Sequence, residues 1–253
     1  MSWRIETAGP LALMRELPDA WAQTCFLRPP RDLALPHLVA ILDEAKRVLR
    51  DDGTVWVTLP GRGHPPAARA IEGAGWLRPR PGAAYLAGFR GPELFVKQPQ
   101  FYFHPRPALA TSRPGHRDVF PAGRLASCSS SRGCRPARRA WCVPARTDGG
   151  LSPSVIEWCI LAGSSARACG ICGAPCKRLP AAGSEGSWCW RAGCSHTHDR
   201  GRCLVLDPFC GPSPVVGVAA VRLGRSYLGA DRHPQRAMRA RRRLRETLPE
   251  PRQ

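Results

Sequence analysis

Two groups of residues in the C-terminal half of the chain have types and spacings suited to chemistry, and the first is rich in cysteine. Residues 169–203 hold six of the twelve cysteines. Two ligands come from a Cys-x-x-Cys turn with a glycine inside it and another after it, and two come from a later Cys-x-His pair. Four sulfur and nitrogen ligands of this kind suit a structural, tetrahedral zinc ion. The predicted ligands are Cys169, Cys172, Cys194 and His196. A cysteine-rich loop without metal is the competing interpretation, and the alternative ligands are Cys176, Cys189 and His198.

The second group is a glycine-containing turn between an apolar segment and a helical pattern. The turn is Asp207-Pro208-Phe209-Cys210-Gly211, and Asp231 follows Gly211 by 20 positions. Free N–H groups at the start of a helix attract anionic groups, and an acidic residue at this distance can bond ribose hydroxyls. The spacing favours a cofactor that contains adenosine, although an ordinary strand-helix-strand crossover gives the same pattern.

A strand-helix-strand-helix unit is predicted to position this turn. Short apolar runs predict its strands, and periodic apolar residues predict its helices. The predicted elements are strands Cys203–Leu206 and Ser226–Gly229 and helices Val215–Arg222 and Pro234–Arg245. The last helix carries six arginines, which are candidate phosphate contacts or a solvated helix face: Arg236, Arg239, Arg241, Arg242, Arg243 and Arg245.

The N-terminal half is predicted to add helices and strands to the same layered α/β sheet. Pro36 lies in the first turn of an amphipathic helix that is expected to end at Asp51-Asp52-Gly53, with Gly53 as a left-handed cap. Thr54–Leu59 then predicts a buried strand. Further predicted elements are helices Pro66–Glu72 and Leu151–Gly163 and strands Glu93–Lys97 and Phe101–Phe103.

The charge of the chain favours a polyanionic partner. Among the 253 residues, Lys+Arg is 38 and Asp+Glu is 19, for a formal net charge of +19. Such an excess is typical of nucleic-acid binding, although a strong preference for arginine over lysine also follows from a GC-rich coding sequence. The arginine-rich residues 104–150 are predicted to form a basic, mobile insertion.

Neither a membrane span nor a secretion signal is predicted. The longest uncharged run, Pro208–Val221, is too short to cross a bilayer and contains three prolines. Residues 1–16 lack the long apolar stretch of a signal peptide. We therefore expect a cytoplasmic protein whose cysteines are thiols or metal ligands rather than disulfides.

Several segments together resemble the DNA amino-methyltransferases, which form N4-methylcytosine or N6-methyladenine. Leu206–Gly211 and Leu223–Gly229 are similar to the family's cofactor turn and the strand that follows it. Trp158–Gly163 is similar to the helix before that turn, and Ala45–Trp56 to the helix and strand after the catalytic motif. Trp141–Pro144 is similar to the end of the variable region. The catalytic block precedes the cofactor block, as in the permuted β-type group.

The resemblance implies a Rossmann-like methyltransferase sheet with permuted motif order, a basic insertion and a small zinc-knuckle-like insert. It also implies S-adenosylmethionine as cofactor and DNA as partner. The implied cofactor-binding residues are Asp207, Pro208, Phe209, Gly211 and Asp231. The implied catalytic motif is the pair Pro29 and Pro30, flanked by Arg28 and Arg31. Related enzymes also carry a knuckle similar to Cys169–Cys176.

Two departures from the family pattern fall on these motifs. The family has Asp, Asn or Ser before the two prolines, and an aromatic residue after them, where this chain has Arg28 and Arg31. Arginine has no hydrogen-bond acceptor for the amino group of a base, and Arg31 is not equivalent to an aromatic stacking platform. In the cofactor loop, Pro212 and Pro214 each remove an N–H donor.

The sequence divides into five predicted segments. They are 1–103, the catalytic-motif half of the methyltransferase domain; 104–150, a target-recognition-like insertion; 151–168, a helix leading to the cofactor site; 169–203, the zinc-knuckle insert; and 204–248, the cofactor-binding half.

Three functions remain open from the sequence. The leading hypothesis is a site-specific DNA methyltransferase of a restriction-modification type, with its target base and any endonuclease partner unassigned. The first alternative is a catalytically inactive relative that binds DNA. The second is an RNA methyltransferase or a zinc-stabilised RNA binder.

Overall fold

The structure is a computed structural model that describes residues 3–58, 65–79, 92–103, 153–180, 188–196 and 200–248. Its strands are β1 (Trp3–Glu6), β2 (Ala22–Leu27), β3 (Leu49–Val57), β4 (Glu93–Val96), β5 (Lys177–Pro180), β6 (Trp188–Arg191), β7 (Leu204–Asp207) and β8 (Ser226–Ala230). Its helices are α1 (Pro10–Arg15), α2 (Leu35–Val48), α3 (Pro65–Gly73), α4 (Pro153–Gly163), α5 (Val215–Arg222) and α6 (Pro234–Thr247).

Six of the strands form one sheet in the order β1-β8-β7-β2-β3-β4. All neighbours are parallel except β3 and β4, which are antiparallel. The central pair, β7 and β2, joins the C-terminal part of the chain to its N-terminal part. This topology confirms the predicted α/β fold with a mostly parallel sheet. Strands β5 and β6 form a separate antiparallel hairpin.

Helices cover both faces of the sheet and make three layers. Buried residues of α1, α2 and α3 pack in one cluster, and those of α4, α5 and α6 pack in another. Successive side chains of a strand point to opposite faces, so each central strand supplies both clusters. Cys25 and Leu27 of β2 face the first cluster, whereas Phe26 faces the second. All six residues of β2 are buried, as expected of a central strand in a parallel sheet.

Helix α2 follows the predicted amphipathic pattern, but its end differs from the prediction. Its buried residues are Leu38, Ile41, Leu42, Ala45 and Val48. Strand β3 begins directly at Leu49 and includes Gly53, which does not have a left-handed backbone. A Cβ at Gly53 would lie 2.9 Å from the Arg50 carbonyl oxygen and 3.1 Å from that of Gln23. Gly53 is therefore required by close backbone packing at the irregular start of the β2–β3 pairing, and its predicted role as a helix cap was wrong.

Other elements agree with the prediction to different degrees. Helix α5 has the predicted bounds, and α3, α4, α6, β4, β7 and β8 each differ by one or two residues at an end. Strand β3 ends at Val57 instead of Leu59. Residues 101–103 are not a strand; Phe101 and Phe103 instead make edge-on ring contacts with each other, and Phe103 also contacts Trp158 of α4.

Sequence analysis missed β1, α1 and β2, which lie in a region of mixed composition. The predicted basic insertion, residues 104–150, lies outside the described residues. Among the described helices, none has both the length and the apolar character needed to cross a membrane.

Arg225 is a buried cation between two helix ends. Its side chain donates to the Ser164 carbonyl oxygen at 2.6 Å, to the Ser164 hydroxyl at 3.2 Å and to the Leu223 carbonyl oxygen. Ser164 follows α4 and Leu223 follows α5, so the guanidinium satisfies carbonyl groups at the negative ends of both helix dipoles. Burial lowers the pKa of Arg225. Among the described residues no carboxylate pairs with it, so these backbone contacts compensate its charge.

We expect Arg225→Met to lower the free energy of unfolding by about 2–4 kcal/mol, because it leaves buried carbonyl groups without donors. Urea unfolding measures the effect. Arg239→Met, on an exposed position of α6, is the matched control and should change stability by less than about 0.5 kcal/mol. Equal losses in the two variants would contradict the capping role of Arg225.

Candidate cofactor and catalytic cleft

A cavity of about 410 Å³ lies where the carboxyl ends of β2, β7 and β8 meet. Adjacent parallel strands bring their carboxyl ends to one edge of a sheet, which is the usual ligand position in such folds. The predicted site residues that line the cavity are Arg28, Pro30, Pro208, Phe209, Gly211 and Asp231. Residues that sequence analysis did not assign to the site also line it, among them Leu11, Leu33, His37, Ile41, Arg232 and Arg236.

The turn after β7 has the backbone that a glycine allows. Gly211 has a φ of +63°, and a Cβ there would meet nothing within 4 Å, so conformation rather than space selects glycine. The Cys210 N–H donates to the Ala230 carbonyl oxygen at 2.9 Å, which ties the turn to the end of β8. Helix α5 then starts without a side-chain cap. The Val215 N–H already donates to Ser213, so this helix start offers few free donors.

Asp231 is held at the end of β8, and within the described residues only one of its carboxylate oxygens accepts a hydrogen bond. Its Oδ1 accepts a hydrogen bond of 2.7 Å from the His233 N–H, at the start of α6. Its own N–H donates to the Glu6 carbonyl oxygen at 3.2 Å, which links it to β1. The half-buried carboxylate therefore has a fixed orientation beside the cavity and an oxygen available to a ligand hydroxyl.

Asp207 lies beneath the cavity instead of lining it. Its side chain is 0% exposed and forms an ion pair with Arg28, whose Nη2 lies 2.8 Å from Oδ2. The same Nη2 donates to the Cys210 carbonyl oxygen at 3.2 Å. The predicted catalytic motif and the predicted cofactor turn are therefore joined directly by Arg28.

Two opposing effects act on the pKa values of Asp207 and Arg28: burial disfavours both charges, and their mutual attraction favours them. Burial raises the pKa of Asp207, and Arg28 opposes that rise. Burial also disfavours the charge of Arg28, but the combined effect of Asp207, Tyr227 and Cys210 exceeds that of burial and raises the pKa of Arg28. Removal of one partner would leave the other charge without compensation, which is strongly unfavourable in a buried position.

Tyr227 is a second hydrogen-bond donor to the buried Asp207 carboxylate. Its hydroxyl donates to Asp207 Oδ2 at 3.3 Å, and burial, together with the nearby Asp207 carboxylate, raises the pKa of Tyr227. A Cβ at Gly217 would lie 2.5 Å from a carbon of the Tyr227 ring, and a Cβ at Gly229 would lie 2.4 Å from the Tyr227 hydroxyl oxygen. Sequence analysis did not assign Tyr227 to the site, although its place in the Leu223–Gly229 segment was a signal.

The other residues of the predicted catalytic motif are more peripheral. Pro30 is exposed and lines the cavity. Pro29 is half-buried and Arg31 is exposed, and neither is among the described residues that line the cavity.

The four predicted metal ligands lie together in a separate cluster. The ligand atoms of Cys169, Cys172, Cys194 and His196 are all within 4.8 Å of one another. Three sulfur donors and one imidazole at these distances fit a tetrahedral zinc ion. Cys176 is buried and not part of this group, the side chain of Cys189 is outside the described part of the structure, and His198 lies outside the described residues.

The backbone around Cys169 favours a thiolate. The N–H groups of Cys172 and Ile171 donate to its Sγ at 3.5 and 3.4 Å, and these bonds lower the pKa of Cys169 to about 6. Gly173, with a φ of +70°, lets the chain turn tightly enough for this arrangement.

This cysteine cluster attaches to the sheet domain away from the cavity. Arg50 of β3 donates to the Cys172 carbonyl oxygen at 2.5 Å, and Ala168 pairs with Gly201 just before β7. None of the four clustered residues lines the cavity. The cluster is therefore placed to stabilise structure rather than to contact a ligand in the cleft.

The arginines of α6 divide into two groups. Arg241 donates to the Ile5 carbonyl oxygen at 2.8 Å, and Arg243 donates to the Pro212 carbonyl oxygen at 3.2 Å, so both stabilise the fold. Arg236 and Arg239 are exposed, and Arg236 lines the cavity. The helix thus has a structural side and an exposed basic side.

Solved structures share this fold over almost the whole chain. The cytosine-N4-specific PvuII DNA methyltransferase matches with a TM-score of 0.57 at 12% identity, covering 98% of this chain and 91% of its own. A Thermus thermophilus protein described as a DNA modification methylase, solved with S-adenosyl-L-methionine, matches with a TM-score of 0.53 at 16% identity, covering 98% and 95%. The complex of M1.HpyAVI with S-adenosylmethionine matches with a TM-score of 0.50 at 15% identity, covering 96% and 98%.

No protein-family model matches the sequence, and no curated protein matches it. The similarity therefore rests on the arrangement of strands and helices rather than on sequence identity. By that arrangement, the chain has the fold of the DNA methyltransferases.

Proposed function

We propose that the chain is an S-adenosylmethionine-dependent DNA methyltransferase that acts on an exocyclic amino group of cytosine (N4) or adenine (N6). The observation that carries the proposal is the shared cavity. It brings Phe209, Gly211 and Asp231 of the predicted cofactor site together with Pro30 of the predicted catalytic motif. Its volume of about 410 Å³ falls within the usual range for small-molecule sites.

The residues of the cleft fit the parts of this cofactor. Asp231 would accept hydrogen bonds from the ribose hydroxyls, and Phe209 and Ile41 would provide apolar contact area. When bound, the cofactor supplies an electrophilic methyl group on a sulfonium. The two prolines of the motif fix the backbone that follows β2, and carbonyl groups there would accept hydrogen bonds from the amino group of an extruded base.

A DNA partner accords with the charge of the chain. The formal net charge of +19 favours a polyanion, and the exposed arginines of α6 would contact phosphates. Residues 104–150 remain the proposed target-recognition insertion. A DNA substrate also requires the protein to share a compartment with DNA, which accords with the cytoplasmic location predicted from the sequence.

A second candidate function is DNA binding without methylation. It is favoured by the position of Arg28, which donates hydrogen bonds where the family's motif accepts them. This relative would keep the cleft and the basic surface but lack the acceptor that activates the amino nitrogen.

We also propose that the cysteine cluster holds one structural zinc ion. Cys169, Cys172, Cys194 and His196 supply a full tetrahedral set, with no open position for catalysis. The ion would fix the segment between α4 and β7.

We expect micromolar binding of S-adenosylmethionine in isothermal titration. Asp231→Asn should weaken it by about 10- to 100-fold, because a neutral amide is a weaker acceptor for the ribose hydroxyls than a carboxylate. Asp43→Asn is the matched control, since Asp43 is exposed on α2 and does not line the cavity. Absence of binding to the unchanged protein at millimolar cofactor would refute the proposal.

Methyl transfer from labelled cofactor to duplex DNA separates the two candidate functions. The unchanged protein should transfer methyl if Pro29, Pro30 and the local carbonyl groups are sufficient. If it binds cofactor but transfers nothing, the double variant Arg28→Asn with Arg31→Tyr should create activity by restoring an acceptor and a stacking ring without adding a second carboxylate beside Asp207. Transfer by the unchanged protein would eliminate the inactive candidate.

Metal analysis of the purified protein should find about one zinc per chain. Cys172→Ala should reduce the zinc content and lower the melting temperature, because it removes one of four ligands. Cys176→Ala should retain the zinc, since this buried cysteine is not in the cluster. Retention of zinc by both variants, or its absence from the unchanged protein, would contradict the assigned ligand set.

A further inference from the structure

Arg28 is bonded through only one of its nitrogens within the described part of the chain. Nη2 contacts both Asp207 and the Cys210 carbonyl oxygen, whereas Nε is buried without an acceptor and Nη1 has no described partner. The side chain is 22% exposed and lines the cavity. A guanidinium carries five N–H donors in a fixed plane, so most of this capacity is unused.

The ion pair with Asp207 prepares Arg28 for a second partner. Because Asp207 is completely buried and also receives the Tyr227 hydroxyl, the Nη2 side of the guanidinium is fixed before a ligand enters. A group fixed in this way loses little conformational entropy on binding, which favours affinity. The planar arrangement of its remaining donors matches the oxygens of a carboxylate or a phosphate.

The other arginines that line the cavity are held less firmly before a ligand binds. Arg232 precedes α6 and Arg236 lies in its first turn; both are exposed, so water can satisfy their donors. Arg28, in contrast, lies at the end of the central strand β2, between the catalytic motif and the cofactor turn. An anionic group in the inner part of the cavity would therefore meet Arg28.

We propose that Arg28 forms an oxyanion subsite in this cavity and determines which ligands the cavity accepts. The inference rests on the proposed function, in which the cofactor's amino-acid part carries a carboxylate. A phosphate on a nucleotide offers the same chemistry from a second source. Arg28 is thus a specificity-determining residue, and the departure from the family's motif exchanges an acceptor for an anion-binding donor.

Two pairs of ligands, each pair differing by one anionic group, test the subsite by isothermal titration. S-adenosylhomocysteine is compared with its decarboxylated analogue, and adenosine 5′-monophosphate is compared with adenosine. In at least one pair, the unchanged protein should bind the member that carries the anionic group about 10- to 100-fold more tightly. The pair that shows the difference identifies the source as the cofactor carboxylate or a phosphate.

Variants then assign the difference to Arg28. Arg28→Met should reduce the preference to less than about 3-fold while binding of the member without the anionic group persists, which also shows that the cavity is folded. Since this change leaves Asp207 unpaired, the double variant Arg28→Met with Asp207→Asn repeats the measurement with both charges removed. Arg236→Met should keep the preference, because Arg236 lines the same cavity but remains solvated.

Each outcome bears on the subsite, and one also bears on the proposed function. Equal binding within both pairs by the unchanged protein leaves the cofactor site in place and overturns the oxyanion subsite. A preference that survives both Arg28 variants, or that Arg236→Met removes, overturns the assignment to Arg28. If the unchanged protein binds none of the four ligands, the proposed cofactor site fails together with the subsite.

Discussion

Strands β2 and β7 lie side by side at the centre of the sheet, with Cys25 opposite Leu206, although about 180 residues separate them in the chain. This parallel pairing is the constraint on which the cleft depends. It brings the carboxyl end of an N-terminal strand to that of a C-terminal strand, so that Arg28 and Asp207 can meet. It also divides the helices into two layers, because alternate residues of both strands pack against opposite faces.

The Arg28–Asp207 pair sets the character of the cleft that this pairing creates. Two charges are taken out of water, and their attraction offsets part of the cost together with hydrogen bonds from the Tyr227 hydroxyl and to the Cys210 carbonyl oxygen. The pair rigidifies the contact between the catalytic motif and the cofactor turn. It also gives the cleft a donor at a position where the resembled enzymes have an acceptor. The fold therefore favours methyl transfer, whereas the local chemistry at Arg28 favours binding without it.

Structural and ligand-facing roles are separated in space. The cysteine cluster docks on β3 through Arg50, and the buried Arg225 closes the ends of α4 and α5, so both act on the far side of the elements that bound the cavity. The cavity itself is lined by the turns after β2, β7 and β8 and by residues of α1 and α2. Changes at cleft residues other than Arg28 can therefore alter binding without removing the contacts that support the sheet.

The sequence by itself determined the elements with strong local signals. The β7-α5-β8-α6 unit, the amphipathic α2 and the cysteine-histidine cluster were predictable, because apolar periodicity, a glycine turn and ligand spacing are local properties. Strands β1 and β2 were missed because they pair with strands distant in sequence, β8 and β7 respectively. Only the tertiary structure decided that Gly53 is crowded by a neighbouring strand, that Asp207 is buried, and that Arg28 neutralises it. Each of these depends on contacts across the sheet, which no local pattern encodes.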